Sequence, residues 1–343
     1  MPVSIAERHD EAGPAGFGIL VMLLSVAIVV LFVLSLITGP ISLPFLTLLS
    51  GLGAEDASLA GIIVEQIRLP RAILALTIGA TLGLAGAALQ GLLRNPLAEP
   101  GLIGVSGCAA LGAVIAFYTG LSAAFALALP FGGIAGAFLA VAAIYALAGR
   151  ESSILTLILA GVAVNTFAGA LTTLALNLSP NPYAAFEIFF WLLGSLSDRS
   201  MQHVALAVPL MALGWVLLFT TGRALDALTL GEDTARSLGF RLGSVQARIV
   251  IGTALSVGAA VAVSGIIGFV GLVVPHLLRP FVGYRPGRLL LLSALGGAVL
   301  TLAADIAVRF MLDGPELKLG VLTALIGAPF FLYLVIQTRR SMR

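Results

Sequence analysis

The sequence predicts an all-α protein that crosses a membrane about ten times, with short cytoplasmic helices between spans, and three observations carry that prediction. The first is composition: of 343 residues, 59% are hydrophobic and only 10% are charged. With a mean hydropathy of +1.12, that is more apolar than a water-soluble core of this size needs. The second is that apolar runs recur along almost the whole chain. A span needs about 20 such residues to cross roughly 30 Å of hydrocarbon, so this length holds about ten joined by short loops. The third is that the basic residues fall mainly on one side once the spans are counted. Residues 1–16 read as a tail and 17–343 as a single ten-helix domain.

Met1 to Gly16 is polar, carries both signs and reads as a cytoplasmic tail. Phe17 to Ile37 is the first span. Its apolar run is longer than a usual signal-peptide core and no small-x-small cleavage pattern directly follows it. Gly39, Pro40 and Pro44 end that helix, and Glu55 and Asp56 mark an outer connection. Arg68-Leu-Pro-Arg71 then introduces the second span, Ala72 to Leu89, in which Gly79, Gly83, Ala87 and Gly91 recur every fourth residue. Such a stripe lets a neighbouring helix approach closely.

Spans follow over Gly101 to Tyr118, Ala123 to Ala148 and Ile154 to Leu176, the last containing Asn165, Thr166, Thr172 and Thr173. Asn177 to Ser200 is interrupted by Pro180 and Pro182 and reads as an outer re-entrant or interfacial turn. His203 to Thr221 and Ile249 to Val263 flank a polar island. Gly265 to Leu278 is short, but it can cross if protein rather than lipid surrounds it. Leu289 to Arg309 and Leu319 to Gln337 complete ten, which puts both termini on one side.

The cations test that count. Arg8, Arg94, Arg150, Arg223, Arg236, Arg241, Arg248, Arg279, Arg285, Arg288, Arg339, Arg340 and Arg343 fall inside, against Arg68, Arg71, Arg199, Arg309 and Lys318 outside. The bias is positive-inside. Arg68 and Arg71 run against it, and charges that break a rule invite a functional explanation. They either meet a partner, anchor the helix to lipid headgroups, or pair with Glu65. Asp305 and Arg309, one helical turn apart, can satisfy each other.

The polar island, Asp226 to Arg241, carries Asp226, Glu232, Asp233, Arg236 and Arg241 within a few turns. Each would cost on the order of 3 kcal/mol at a bilayer centre, so the island lies outside the membrane. Glu232 and Asp233 open a run that closes at Gly239, Glu232 and Arg236 stand one turn apart, and Ala235 and Leu238 form an apolar side. A short amphipathic helix fits this pattern. Composition leaves two readings open, an ordered loop or a docking element for a soluble partner.

Missing residues exclude several functions. A phosphate-loop ATPase needs Gly-Lys-Ser/Thr, and the only lysine, Lys318, stands between leucines. An ion-coupled carrier usually places carboxylates mid-membrane, whereas the one acid within a span here, Asp305, lies near the end of its helix. Cys108 is the only cysteine and His9, His203 and His276 are scattered, so no metal cluster or nucleophile–base pair is legible. Transport is the leading class, ahead of an intramembrane enzyme or a scaffold.

Several runs then carry a resemblance over nearly the whole chain from Arg68: Arg68-Leu-Pro-Arg71, GAALQGLLRNPLAEPGLIGVS from Gly86, WLLGSL from Trp191 and LTLGEDTARSLG from Leu228. GIIGFVGLVVPHLLRPFVG, LAADIAVR and GVLTALIGAPFFLYL follow in order. Together they resemble the permease subunits of the iron-siderophore, haem and vitamin B12 importers of the ABC class.

The resemblance implies a ten-helix subunit of a homodimer in the bacterial inner membrane. It would work with two ATP-binding subunits, which carry ATP and magnesium, and with a periplasmic substrate-binding protein. This chain itself would bind no cofactor or metal, catalyse nothing, and touch lipid but no nucleic acid. It implies ATPase-coupling roles for Leu228, Leu230, Gly231, Glu232, Asp233, Arg236, Leu238 and Gly239. It implies binding-protein docking by Arg68, Arg71 and Arg309. It implies a pathway lined by the fifth and tenth spans, with Asn165, Thr166, Thr172, Thr173 and Thr323 as candidates, an interhelical hydrogen bond being the equal alternative for Asn165. Gly107-Cys108 and Lys318 depart from the family pattern and concern local packing. A ferric siderophore or haem is the expected cargo, with cobalamin as the alternative.

Overall fold

The computed structural model describes residues 14–39, 59–125, 127–149, 154–179, 182–310 and 316–341, and no strand occurs among them. Long runs of Leu, Val, Ala and Ile make helices whose backbone polar groups are satisfied internally, as a bilayer requires. The chain order is α1 (Pro14–Ile37), α2 (Leu69–Leu93), α3 (Val105–Tyr118), α4 (Ala128–Ala148), α5 (Ile154–Asn177) and α6 (Pro182–Leu192). Then come α7 (Met201–Phe219), α8 (Gly222–Leu228), α9 (Glu232–Ser237), α10 (Leu242–Ser264), α11 (Val270–Leu278), α12 (Pro286–Val308) and α13 (Leu319–Ser341). Eight helices among the described residues are long and apolar enough to cross a membrane, and two shorter apolar ones, Val105–Tyr118 and Val270–Val282, fall on the remaining expected spans.

The bundle is built around α2. Within its most apolar window 83% of residues are buried, against 6% for α1, whose outer face is left to solvent or lipid. The small-residue stripe explains the difference. A Cβ at Gly79 or Gly83 would overlap the backbone of Gly297 or Ser293 on α12, and one at Gly86 would overlap the Gly271 carbonyl on α11. Close backbone approach of this kind replaces the hydrophobic drive that is missing between helices in lipid. Trp215 Nε1 on α7 donates to Thr81 Oγ1 at 2.8 Å, giving the half-buried indole its partner.

The start of the second span differs from expectation. A π-helical turn, Ile63–Arg68, runs directly into α2, so Arg68-Leu-Pro-Arg71 lies inside one helical segment of 31 residues rather than in a connection before Ala72. Pro70 is the second residue of the α-helical part, immediately after the π-helical turn. At 1.5 Å per residue the segment is about 46 Å long, so it overhangs roughly 30 Å of hydrocarbon.

α11 is a half-helix enclosed by protein, with Val270 to Pro275 buried. Its first N–H groups follow a break at which Phe269 adopts φ +66°, unusual for a bulky residue. The Phe269 N–H donates to Glu99 Oε1 at 2.7 Å, which ties the loop after α2 to the break. The interrupted stretch between the fifth and sixth spans folds as α6, 11 residues and therefore about 16 Å, too short to cross.

Candidate functional site

Two groups of charged residues lie at opposite ends of α2. Arg71 is near its start, and Gly91, near its finish, packs against Leu225 of α8. The separation is about 30 Å along the helix.

At the Leu93 end the polar island forms two helices, α8 and α9, not the single one expected. Thr229 to Gly231 separate them, and Gly231 takes φ +106°, a conformation that favours glycine. Glu232 and Asp233 occupy the first turn of α9 and Arg236 its last, which suits the helix dipole. Glu232 Oε2 and Arg236 Nη2 are 3.6 Å apart and largely exposed, a pair that contributes a few tenths of a kcal/mol at most. The island's mount is apolar: Leu225, Leu228 and Ala235 are buried. Asp226 adds a polar anchor, since its Oδ1 accepts the Gly287 N–H at 2.7 Å in the first turn of α12. The sequence reading missed that role, although a lone Asp sixty residues before Pro286 gives no local signal.

Leu238 corrects the expected apolar side. It does not join Ala235 but stands 60% exposed, because the helix ends at Ser237 and Gly239 turns the chain with φ +89°. Leu230 is also 67% exposed. Two exposed leucines thus flank Glu232, Asp233 and Arg236 on a rigid mount. That combination is what a docking surface for a soluble partner needs.

At the other end the arginines are turned inward. Arg68 Nη1 donates to the Leu36 and Ile37 carbonyls at 2.8 and 2.7 Å, capping the end of α1. Arg309 Nη1 reaches the Ser35 and Thr38 carbonyls at 2.8 and 3.0 Å, while Nη2 bonds Ser35 Oγ at 2.9 Å and pairs with Asp305. Arg71 holds two acids: Nε donates to Asp305 Oδ1 at 2.9 Å, and the two Nη atoms grip both oxygens of Glu316. Ser197 Oγ also donates to Glu316, at 2.6 Å. Asp305 is wholly buried, and Arg68 and Arg309 are nearly so.

Burial explains the pairing, because a guanidinium removed from water needs an acid or several carbonyls to offset its lost hydration. Arg71 finds Asp305 and Glu316 rather than Glu65, and the anticipated Asp305–Arg309 pair is present. Arg68, Arg71 and Arg309, expected to meet a binding protein, thus turn most of their donors inward to acids or carbonyls of the same chain, although Arg309 Nε has no hydrogen-bond partner among the described residues. Burial alone would raise the Glu316 carboxyl. Hydrogen bonds from Arg71 and Ser197 and the fields of Arg71 and Arg309 more than reverse this and hold it below the usual carboxylate range.

The candidate pathway residues are divided. On α5, Thr166 and Thr173 are exposed, and their hydroxyls bond back to Val162 and Gly169. Thr172 is half-buried. Asn165 lies over Gly107 of α3 so closely that a Cβ there would meet its Oδ1, which puts it at a helix–helix contact and explains glycine before Cys108. Thr323 is buried, its hydroxyl donating to the Gly320 carbonyl at 3.1 Å, so it shares no surface with the α5 threonines within this chain. His276 packs edge-to-face on Phe330 at 5.7 Å, a structural contact. Among the described residues no three acids, histidines or cysteines group as metal ligands.

The FecCD transport family matches residues 27–337. The chain belongs to that family. Relatives of this FecCD protein include an uncharacterized ABC transporter permease, YvrB, of Bacillus subtilis, 42% identical over 297 residues, covering 85% of this chain and 83% of the relative. A vitamin B12 import system permease, BtuC, of Vibrio cholerae is 41% identical over 290 residues, covering 83% and 86%. A solved inward-facing structure of a metal-chelate type ABC transporter superposes with a TM-score of 0.82 at 32% identity, covering 92% of this chain and 98% of that one. The protein is thus a multi-pass membrane permease of the ABC importer type, a class whose permease subunits are not themselves catalytic.

Proposed function

We propose that this permease passes a large metal chelate from the periplasm to the cytoplasm as a homodimer, with two ATP-binding subunits on its cytoplasmic face and a substrate-binding protein on the other. Both termini and the α8–α9 island then lie in the cytoplasm of a bacterium, and ATP and magnesium bind the partner subunits only. The observation that carries the reading is the island: exposed Leu230 and Leu238 beside Glu232, Asp233 and Arg236, fixed by buried Leu225, Leu228 and Ala235 and by the Asp226–Gly287 hydrogen bond. Leu228, Gly231 and Gly239 shape this surface rather than touch the partner.

An iron complex, ferric siderophore or haem, is one cargo, and cobalamin is the other. The names of several relatives at about 40% identity favour cobalamin for those proteins, and the metal-chelate transporter fits either. The α5 face bearing Thr166, Thr172 and Thr173 is the proposed pathway wall, and Arg71 with its neighbours the proposed docking ground for the binding protein. Proteoliposomes holding the chain, its ATPase and its binding protein test this. Uptake of one chelate that requires ATP and survives ionophores is expected, whereas uptake driven by an ion gradient without ATP would overturn it in favour of a secondary transporter.

A further inference from the structure

Arg71 divides its guanidinium between two acids that are held very differently. Asp305 sits within α12, has no exposed surface and is shared with Arg309. Glu316 retains 29% exposure, and residues 316–318 are non-helical and lead straight into α13. Of the two acids on Arg71, only Glu316 is partly exposed and carried on non-helical backbone.

We propose that Glu316 is an internal stand-in for a partner's carboxylate, gripping the outer edge of Arg71 in the free permease and yielding that edge when an acidic protein surface docks. The proposal rests on the docking reading given above. Charge balance supports it. With Glu316 in place, Arg71 and Arg309 face two carboxylates; with it gone, they face Asp305 alone, and the forked Nη edge is left to any bidentate acid that reaches it. Exchange thus keeps the Arg71 guanidinium matched on both edges, whereas an uncharged or monodentate partner leaves its outer edge unmatched. This favours a partner with a well-placed Asp or Glu over a merely acidic one.

The same exchange reaches α13. Glu316 accepts from Ser197, and four residues on, the Gly320 N–H donates to the Gly194 carbonyl at 3.1 Å. A Cβ at Gly320 would overlap the Leu193 and Ile266 backbone, so the start of α13 is pressed against the 193–197 link and the break before α11. Loss of the Glu316 grip removes the side-chain half of that attachment and leaves the backbone half. Docking is thereby transmitted to the helix that carries Thr323.

The experiment measures the affinity of a substrate-binding protein that supports transport with this permease, using folded permease in nanodiscs. Arg71→Lys keeps the charge and loses the fork, so the docking reading expects weaker binding; unchanged binding there overturns that reading itself. Given weaker binding, Glu316→Gln decides the exchange. Removing an internal competitor worth about 1 kcal/mol should tighten the dissociation constant about fivefold. Unchanged or weaker binding would show that Glu316 is a fixed brace and overturn the proposal. If Glu316→Gln fails to fold, Ser197→Ala takes its place: it loosens Glu316 without removing charge, and tighter binding supports exchange while unchanged binding overturns it.

Discussion

The two charged ends of this molecule drew attention in the sequence for similar reasons, yet the fold treats them oppositely. Around Arg71 the charges are buried, paired and bound to α1, α2, α12 and the start of α13. On α9 they are exposed and weakly paired, and leucines rather than carboxylates complete the surface. The difference teaches that a cation placed against the positive-inside trend marks a special position without saying which way it faces. Burial settles the direction, because a desolvated guanidinium recruits acids from its own chain whenever they are within reach.

Substitutions should expose that contrast, beginning with the largest effect. Asp305→Ala leaves Arg71 and Arg309 without their shared carboxylate and should cost about 3–5 kcal/mol, seen as a collapse in folded yield. Glu232→Ala should change stability by less than about 0.5 kcal/mol, so thermal unfolding of the two variants side by side would break the comparison if their losses were similar. Asp226→Ala, which removes the polar anchor of the island, should lie between them at about 1 kcal/mol, with transport per ATP reduced more than stability.

Acidity sharpens the same comparison with a smaller effect. Glu316 titrates below its unfolded value of about 4.3, so the stabilisation it supplies is present above that pH and is lost as pH falls through the lower folded value. The difference in melting temperature between the wild type and Glu316→Gln should therefore be greatest near neutrality and shrink below about pH 4. A difference that grew on acidification would contradict the pairing seen here.

The spans were legible because lipid demands long apolar helices, and the Gly79–Gly83 stripe was legible because it repeats at helical spacing. The overhang of α2 was not, since Ile63 to Arg68 contains Glu65 and Arg68 and reads as a connection until the π-turn joins it to α2. At the island, the charges at Glu232, Asp233 and Arg236 and the glycine at 239 gave α9 its start and stop. Helical periodicity puts Leu238 beside Ala235, but it says nothing once the chain has left the helix at Ser237. The partners of Arg71 lie more than two hundred residues away at Asp305 and Glu316, and no local pattern reports a contact of that separation. The span that holds Thr323 is legible, whereas the burial of its side chain depends on how neighbouring helices turn.

The most direct test of the central claim, that the α8–α9 surface and not the Arg71 end receives the ATPase, is a binding measurement on one variant. Leu230→Glu combined with Leu238→Glu places two charges on exposed positions, leaving the buried mount of Leu225, Leu228 and Ala235 untouched. Affinity for the ATP-binding subunit should fall at least about tenfold, as for an apolar hot spot lost from an interface, while affinity for the substrate-binding protein stays unchanged. Undiminished binding of the ATPase by this folded variant would contradict the account.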